Sequence, residues 1–144
     1  MDADTFIHQI TFDASLEKLS LILKWIHESV EQAKLGAIES RKVELALEEA
    51  IVNIIHYAYK DASGSLEIIS RIIPKKRIEF ILKDRGISFD PLQKNPNLDL
   101  IAPLEERKIG GLGILLIRQY MDEVHYERHH LYNILTLAKE ISTI

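Results

Sequence analysis

The chain has 144 residues, of which 47% are hydrophobic and 28% charged, and its formal net charge is −4. This composition is typical of one globular domain, which we predict to span residues 1–144, and the acidic balance argues against a protein that binds nucleic acid. The chain has no cysteine, no apolar run of membrane-spanning length and no signal-peptide pattern, so we exclude thiol chemistry and expect a cytoplasmic protein that binds no membrane.

The first part of the chain predicts one strand followed by two helices. Residues 5–12 alternate weakly between apolar and polar side chains and indicate an edge strand. Apolar residues then recur at three- and four-residue spacing, which predicts a helix from position 13 or 15 to about 34, with Gly36 ending it. A second helix is predicted over about 40–59.

The rest of the chain predicts two β-hairpins separated by a long irregular segment and a short helix. The irregular segment covers 86–109, and the helix covers 114–121. The predicted strands are 66–73, 77–84, 123–129 and 131–139. Strands joined by tight turns pair antiparallel, so the fold class is α+β: a two-layer α/β sandwich with a mainly antiparallel sheet and its helices on one face.

Glu49 and Asn53 form the first pattern with chemical potential. They are four residues apart on the second predicted helix, so they lie one turn apart on one side of it. A carboxylate and an amide in this arrangement can share a metal ion or a water molecule. The same pattern also suits an exposed polar stripe. Glu48 is a rival for Glu49, although its position on a charged helix face predicts a solvated side chain.

Asp84, followed by Arg85 and Gly86, forms the second pattern. Asp84 continues the apolar face of the preceding predicted strand, so that face ends in a carboxylate, which needs a hydrogen-bond donor if it is buried. A ligand amino group would serve, and Gly86 permits a close approach to the backbone. An aspartate that caps the turn after the strand is the alternative.

Gly110, Gly111 and Gly113 form the third pattern, just before the short helix. Glycine-rich backbone at a helix N-terminus favours an anion site, because its N–H groups are accessible and the helix dipole is positive there. Arg107 and Lys108 precede the glycines and would reach phosphate oxygens. A flexible hinge is the alternative.

In their order and spacing, the three patterns resemble the N, G1 and G2 boxes of the GHKL ATPase superfamily. The resemblance is strongest to the bacterial anti-sigma-factor serine/threonine kinases of the RsbW and SpoIIAB type. It covers nearly the whole chain, and the stretches that carry it are 49–59, 84–91, 110–124, 126–128 and 133–137.

This resemblance implies the Bergerat fold, with ATP and Mg²⁺ bound between helices and sheet. Asn53 would hold the Mg²⁺ ion, and Glu49 would act as the base toward the attacking hydroxyl. Asp84 would accept a hydrogen bond from the adenine amino group, with Thr136 supporting that contact. The remaining predicted nucleotide-binding residues are Gly86 beside the base, Arg107, and the three glycines Gly110, Gly111 and Gly113, which would line a mobile phosphate lid formed by residues 92–109.

The resemblance also implies the partners: a sigma factor, a STAS-domain anti-sigma antagonist as the phosphorylated protein, and a second copy of this chain in a homodimer. Three alternatives stay open. The first is a nucleotide-gated binding module without phosphotransfer. The second is the catalytic domain of a split histidine kinase, and the third is an ATPase that acts on a non-sigma partner. Substitution of Glu49 separates the kinase from the binding module.

Overall fold

Five strands form one antiparallel sheet in the order β1-β2-β3-β5-β4. A computed structural model describes residues 5–59, 63–90, 92 and 111–141 of the chain. The strands are β1 (Phe6–Asp13), β2 (Ser65–Ile73), β3 (Arg77–Asp84), β4 (Glu123–His129) and β5 (Tyr132–Glu140). The helices are a 3₁₀ turn (Leu16–Lys18), α1 (Leu19–Gln32), α2 (Ala37–Asn53), a π-helix (Ile54–Ala58) and α3 (Gly111–Tyr120).

The helices cover one face of the sheet. Along β2 and β3 burial alternates residue by residue, so every second side chain joins the core while its neighbour faces the other side. The core joins these side chains to the apolar stripes of the helices, and its largest fully buried members include Phe80, Ile22, Ile26, Leu47, Ile51, Ile68, Leu82 and Leu137. The predicted two-layer α+β sandwich with antiparallel pairing is confirmed.

The opposite face of the sheet, which the described helices leave uncovered, carries charged side chains in ion pairs. Arg77 lies among Glu79, Glu123 and Glu140, which belong to three different strands. None of the helices in the described ranges is long and apolar enough to cross a membrane.

The connection between α1 and α2 differs from the prediction at Gly36. This glycine does not end α1: it has a φ of −63° and is the N-cap of α2, which therefore begins at Ala37 rather than near position 40. The left-handed residue after α1 is Lys34, with a φ of 55°. Glycine is tolerated at N-caps as well as after helix ends, so its presence alone does not distinguish the two positions.

Candidate functional site

Asn53 is the last residue of α2 and is buried, with 1% of its surface exposed. Its side-chain Oδ1 and Nδ2 atoms are both shielded from solvent, and neither has a hydrogen-bond partner in the part of the chain that the structure describes. Buried polar groups are nearly always hydrogen-bonded, and an exception requires a reason such as an absent ligand. The exposed polar stripe, one of the two interpretations of this pattern, is therefore wrong for Asn53.

Glu49 lies one helical turn before Asn53, at the spacing that brings Cβ atoms to about 5–6 Å. Both Glu49 and its rival Glu48 are partly exposed, so burial does not distinguish them. An amide oxygen and a carboxylate oxygen are hard ligands of the kind that Mg²⁺ prefers. Oδ1 of Asn53, which accepts no hydrogen bond from the described residues, fits such a cation, and Nδ2 fits a phosphate or water oxygen.

A π-helix follows Asn53 directly and covers Ile54–Ala58. Such wider turns are rare and occur frequently at functional sites. Here the π-helix connects Asn53 to the turn after β3, because the Ala58 carbonyl accepts a hydrogen bond from the Ile87 N–H at 2.9 Å. The Tyr57 ring stacks on Phe89 with ring centroids 5.1 Å apart. The two predicted patterns are thus joined by backbone and aromatic contacts.

Asp84 ends β3 and is buried, with 2% of its surface exposed, as its position on the apolar face predicted. Its Oδ1 accepts hydrogen bonds from the Gly86 N–H at 2.9 Å and from Nδ2 of Asn133 at 2.8 Å. Burial raises the pKa of the carboxyl group above its ordinary value, while these hydrogen bonds and the charge of Arg128 oppose the rise. The described hydrogen bonds all end on Oδ1, so Oδ2 remains as an acceptor for a ligand.

Asn133, near the start of β5, is the residue of this site that sequence analysis missed. It is cross-strand partner to Asp84 and shares its buried face. Its Nδ2 donates to Asp84 and to the Ile87 carbonyl, both at 2.8 Å. Its Oδ1 accepts from the Tyr126 hydroxyl at 2.5 Å and from the Phe89 N–H at 3.3 Å. This amide therefore forms four hydrogen bonds, its full capacity.

Thr136 does not take the position that was predicted for it. In the register of β3 and β5, Thr136 lies opposite Ile81, on the face of the sheet away from Asp84. Successive side chains of a strand point to opposite faces, so a residue three positions from Asn133 cannot share its face. Thr136 was expected to support the contact between Asp84 and adenine, but the residue of β5 that donates a hydrogen bond to Asp84 is Asn133.

Gly86 lies where the turn after β3 passes against the π-helix. A Cβ atom at this position would stand 2.3 Å from the Ala58 carbonyl oxygen, so no other residue fits without displacing the backbone. From the other side, Nη1 of Arg128 donates to the Gly86 carbonyl at 2.8 Å. The turn over 84–89 is thus held by the π-helix, β4 and β5 together.

The glycine cluster is described only in part. Gly111 and Gly113 lie in the first turn of α3, which begins three residues earlier than predicted. Leu92, at the start of the predicted lid, accepts a hydrogen bond on its carbonyl from Nη2 of Arg118 at 3.0 Å. Gly110 and the rest of the predicted lid over 92–109, including Arg107, lie outside the described residues.

The model of the histidine kinase-like ATPase domain matches residues 12–139. The chain belongs to this family. A solved structure, the Acinetobacter baumannii histidine kinase AdeS, matches over 93% of this chain and 68% of that one, with a TM-score of 0.50 at 19% identity. This likeness supports the fold, and the family match confirms the predicted GHKL resemblance.

Two curated relatives are named as serine-protein kinase RsbW. The protein of Staphylococcus aureus strain MSSA476 is 32% identical over 122 residues, which is 77% of this chain and 72% of that protein. The protein of Bacillus subtilis strain 168 is 35% identical over 95 residues, which is 63% of this chain and 59% of that protein. The predicted resemblance to the RsbW group is confirmed.

Proposed function

We propose that this protein is an ATP-dependent protein serine/threonine kinase of the partner-switching type. It binds a sigma factor and phosphorylates a STAS-domain antagonist of anti-sigma activity, and it works as a homodimer in the cytoplasm. The observation that carries the proposal is the buried Asn53, whose amide has no hydrogen-bond partner among the described residues. It lies one turn after Glu49 and is connected through the π-helix to the turn that follows Asp84. Similarity to the RsbW serine-protein kinases supports the choice of reaction.

Asn53 holds Mg²⁺ through Oδ1 in this proposal, which gives its buried oxygen a partner. When bound, Mg²⁺ neutralises charge on the phosphate oxygens. Gly111 and Gly113, together with Gly110 and Arg107, bind the phosphate groups, because N–H groups at a helix N-terminus and a guanidinium attract anions.

In this proposal the turn over 84–89 binds adenine because it offers the base a hydrogen-bond acceptor, Oδ2 of Asp84, and few free hydrogen-bond donors. Its Gly86, Ile87 and Phe89 N–H groups already donate hydrogen bonds within the protein, whereas Oδ2 of Asp84 accepts none of the hydrogen bonds in the described part of the chain. A base that offers an amino group at this position satisfies the carboxylate, and a base that offers a carbonyl leaves two acceptors facing each other. The turn therefore selects adenine over guanine.

Glu49 then acts as the general base. Its carboxylate accepts the proton of the acceptor serine or threonine hydroxyl, whose oxygen forms a bond to the γ-phosphorus of ATP. The bond between that phosphorus and the bridging β-phosphate oxygen breaks, and ADP leaves with the electron pair. Phosphoryl transfer depends mainly on positioning and charge neutralisation, so these few groups suffice.

Labelled ATP and Mg²⁺, incubated with the protein and STAS-domain proteins of the same genome, test the proposal. We expect transfer of phosphate to serine or threonine, its loss in Glu49→Gln, and its retention in the matched control Glu48→Gln. Unchanged transfer in Glu49→Gln would show that Glu49 is not the base. Binding of nucleotide without any transfer by the unmodified protein would identify the nucleotide-gated binding module instead.

A further inference from the structure

Tyr59 follows the π-helix and places its hydroxyl between the beginning of β2 and the end of β3. The hydroxyl donates to the Ser65 carbonyl at 2.7 Å and accepts from the Arg85 N–H at 2.7 Å. The residue is buried, with 8% of its surface exposed. One phenol oxygen thus joins both strands next to Asp84.

The register shows what this hydroxyl replaces. Leu66 of β2 pairs with Asp84 of β3, so Ser65 and Arg85 stand opposite each other in the next position of the antiparallel pairing. In a continuous ladder, backbone groups at this position would bond across the strands directly. Instead the Tyr59 hydroxyl lies between the Ser65 carbonyl and the Arg85 N–H, so pairing ends at Asp84 and β3 leaves the sheet there.

The contact between Gly64 and the Tyr59 ring is independent evidence that the position of this ring is fixed. A Cβ atom at Gly64 would lie 2.1 Å from Cε1 of Tyr59, so the ring packs directly on the glycine backbone. The pKa of the Tyr59 hydroxyl is raised, mainly by burial and also by the charge of Asp84. The Tyr59 ring thus packs on the Gly64 backbone, and its hydroxyl lies beside the residue that follows Asp84.

We propose that Tyr59 is a positioning residue for base recognition: its hydroxyl ends the β2–β3 pairing and so fixes where the carboxylate of Asp84 meets the base. The inference rests on the adenine contact in the proposed function. Tyr59 does not touch the nucleotide in this account, and its effect passes through Arg85 to Asp84.

The test compares ADP with purine riboside 5′-diphosphate, which lacks the 6-amino group, in binding to the full chain by calorimetry with Mg²⁺. The unmodified protein should prefer ADP. Tyr59→Phe should weaken ADP binding about fivefold to tenfold, the effect of one lost hydrogen bond, and leave binding of the analogue unchanged. The matched control is Tyr132→Phe, whose hydroxyl makes none of the described hydrogen bonds and whose loss should change neither affinity.

A second variant and a second measurement separate positioning from stability. Gly64→Ala keeps the Tyr59 hydroxyl but displaces the ring, and it should reduce the preference for ADP in the same way. Amide exchange at Arg85 should accelerate in Tyr59→Phe. A preference for ADP that survives in Tyr59→Phe, or an equal loss of affinity for both ligands, would overturn the inference while the proposed function stands. An unmodified protein that binds no ADP would overturn both.

Discussion

Asn53 and Asn133 are both buried asparagines, yet they differ completely in their hydrogen bonding. Asn133 forms four hydrogen bonds that join β5, β4 and the turn after β3. Asn53 forms none among the described residues, although both of its polar atoms are shielded from solvent. A satisfied buried amide stabilises the fold, whereas an unsatisfied one costs stability that a hydrogen-bonding or metal-binding partner restores. We therefore infer that Asn133 maintains the structure of the site, whereas Asn53 binds the ligand.

The same substitution at both positions gives the largest expected difference. Asn133→Leu should lower the free energy of unfolding by about 3 kcal/mol, because it removes four hydrogen bonds in a largely buried region. The Ile87 carbonyl, the Phe89 N–H and the Tyr126 hydroxyl lose the partner described for them, and Asp84 keeps only its bond from the Gly86 N–H. Chemical denaturation monitored by circular dichroism measures this change. A loss below about 1 kcal/mol would show that the network contributes little.

Asn53→Leu should leave the stability of the free protein within about 1 kcal/mol of the original or raise it, because no described hydrogen bond is lost. The effect should appear only with ligand. When the Mg²⁺–ADP complex is present at 100 times its Kd, the free energy of unfolding of the unmodified protein should rise by about 2.7 kcal/mol, and that of the variant should hardly change. Thermal unfolding with and without ligand compares the two. A large loss of stability in the ligand-free variant would contradict the account of Asn53.

Gly86→Ala and Gly36→Ala form the next pair. A Cβ atom at Gly86 would stand 2.3 Å from the Ala58 carbonyl oxygen, and a Cβ atom at Gly36 would meet no atom within 4 Å. Gly86→Ala should therefore weaken ADP binding about tenfold or more by displacing the turn that carries Asp84. Gly36→Ala should change binding not at all and stability by less than about 1 kcal/mol, the cost of an altered N-cap. Equal affinities of the two variants would show that the π-helix contact does not position the turn.

The smallest effect concerns pH. The pKa of Asp84 is raised in the folded chain, chiefly by burial, so between the unfolded and folded pKa values the folded state binds more protons than the unfolded state. As the pH falls through the folded pKa, Asp84 should therefore contribute increasing stability to the free protein, whereas ADP binding should weaken because the ionised acceptor is lost. Asp84→Asn should remove both trends. Calorimetry and denaturation across this pH range check them, and parallel profiles for the variant and the original would contradict the assignment.

Sequence patterns predicted the element order and the burial of Asp84, because strand alternation alone places that carboxylate on the apolar face. They did not predict Asn133, since β5 has several polar residues and the family resemblance pointed to Thr136 instead. The register with β3 decides that Asn133, and not Thr136, faces Asp84. The pattern on α2 likewise left two interpretations of Asn53. A helical wheel shows which side of the helix a residue occupies, but not whether another part of the protein covers that side. The π-helix after Asn53 carries no signal in the spacing of apolar residues.

The central claim is that the buried amide of Asn53, which has no partner within the described ranges, binds the cation of a nucleotide whose base is bound by Asp84. NMR of the side-chain amide groups in the ¹⁵N-labelled protein tests this claim directly. Mn²⁺ replaces Mg²⁺ in the ADP complex, and the signal that is missing in Asn53→Leu is assigned to Asn53. We expect Mn²⁺ with ADP to broaden the Asn53 side-chain signal beyond detection while the Asn133 signal remains visible. A sharp, unshifted Asn53 signal in a chain saturated with ADP and Mn²⁺ would contradict the account.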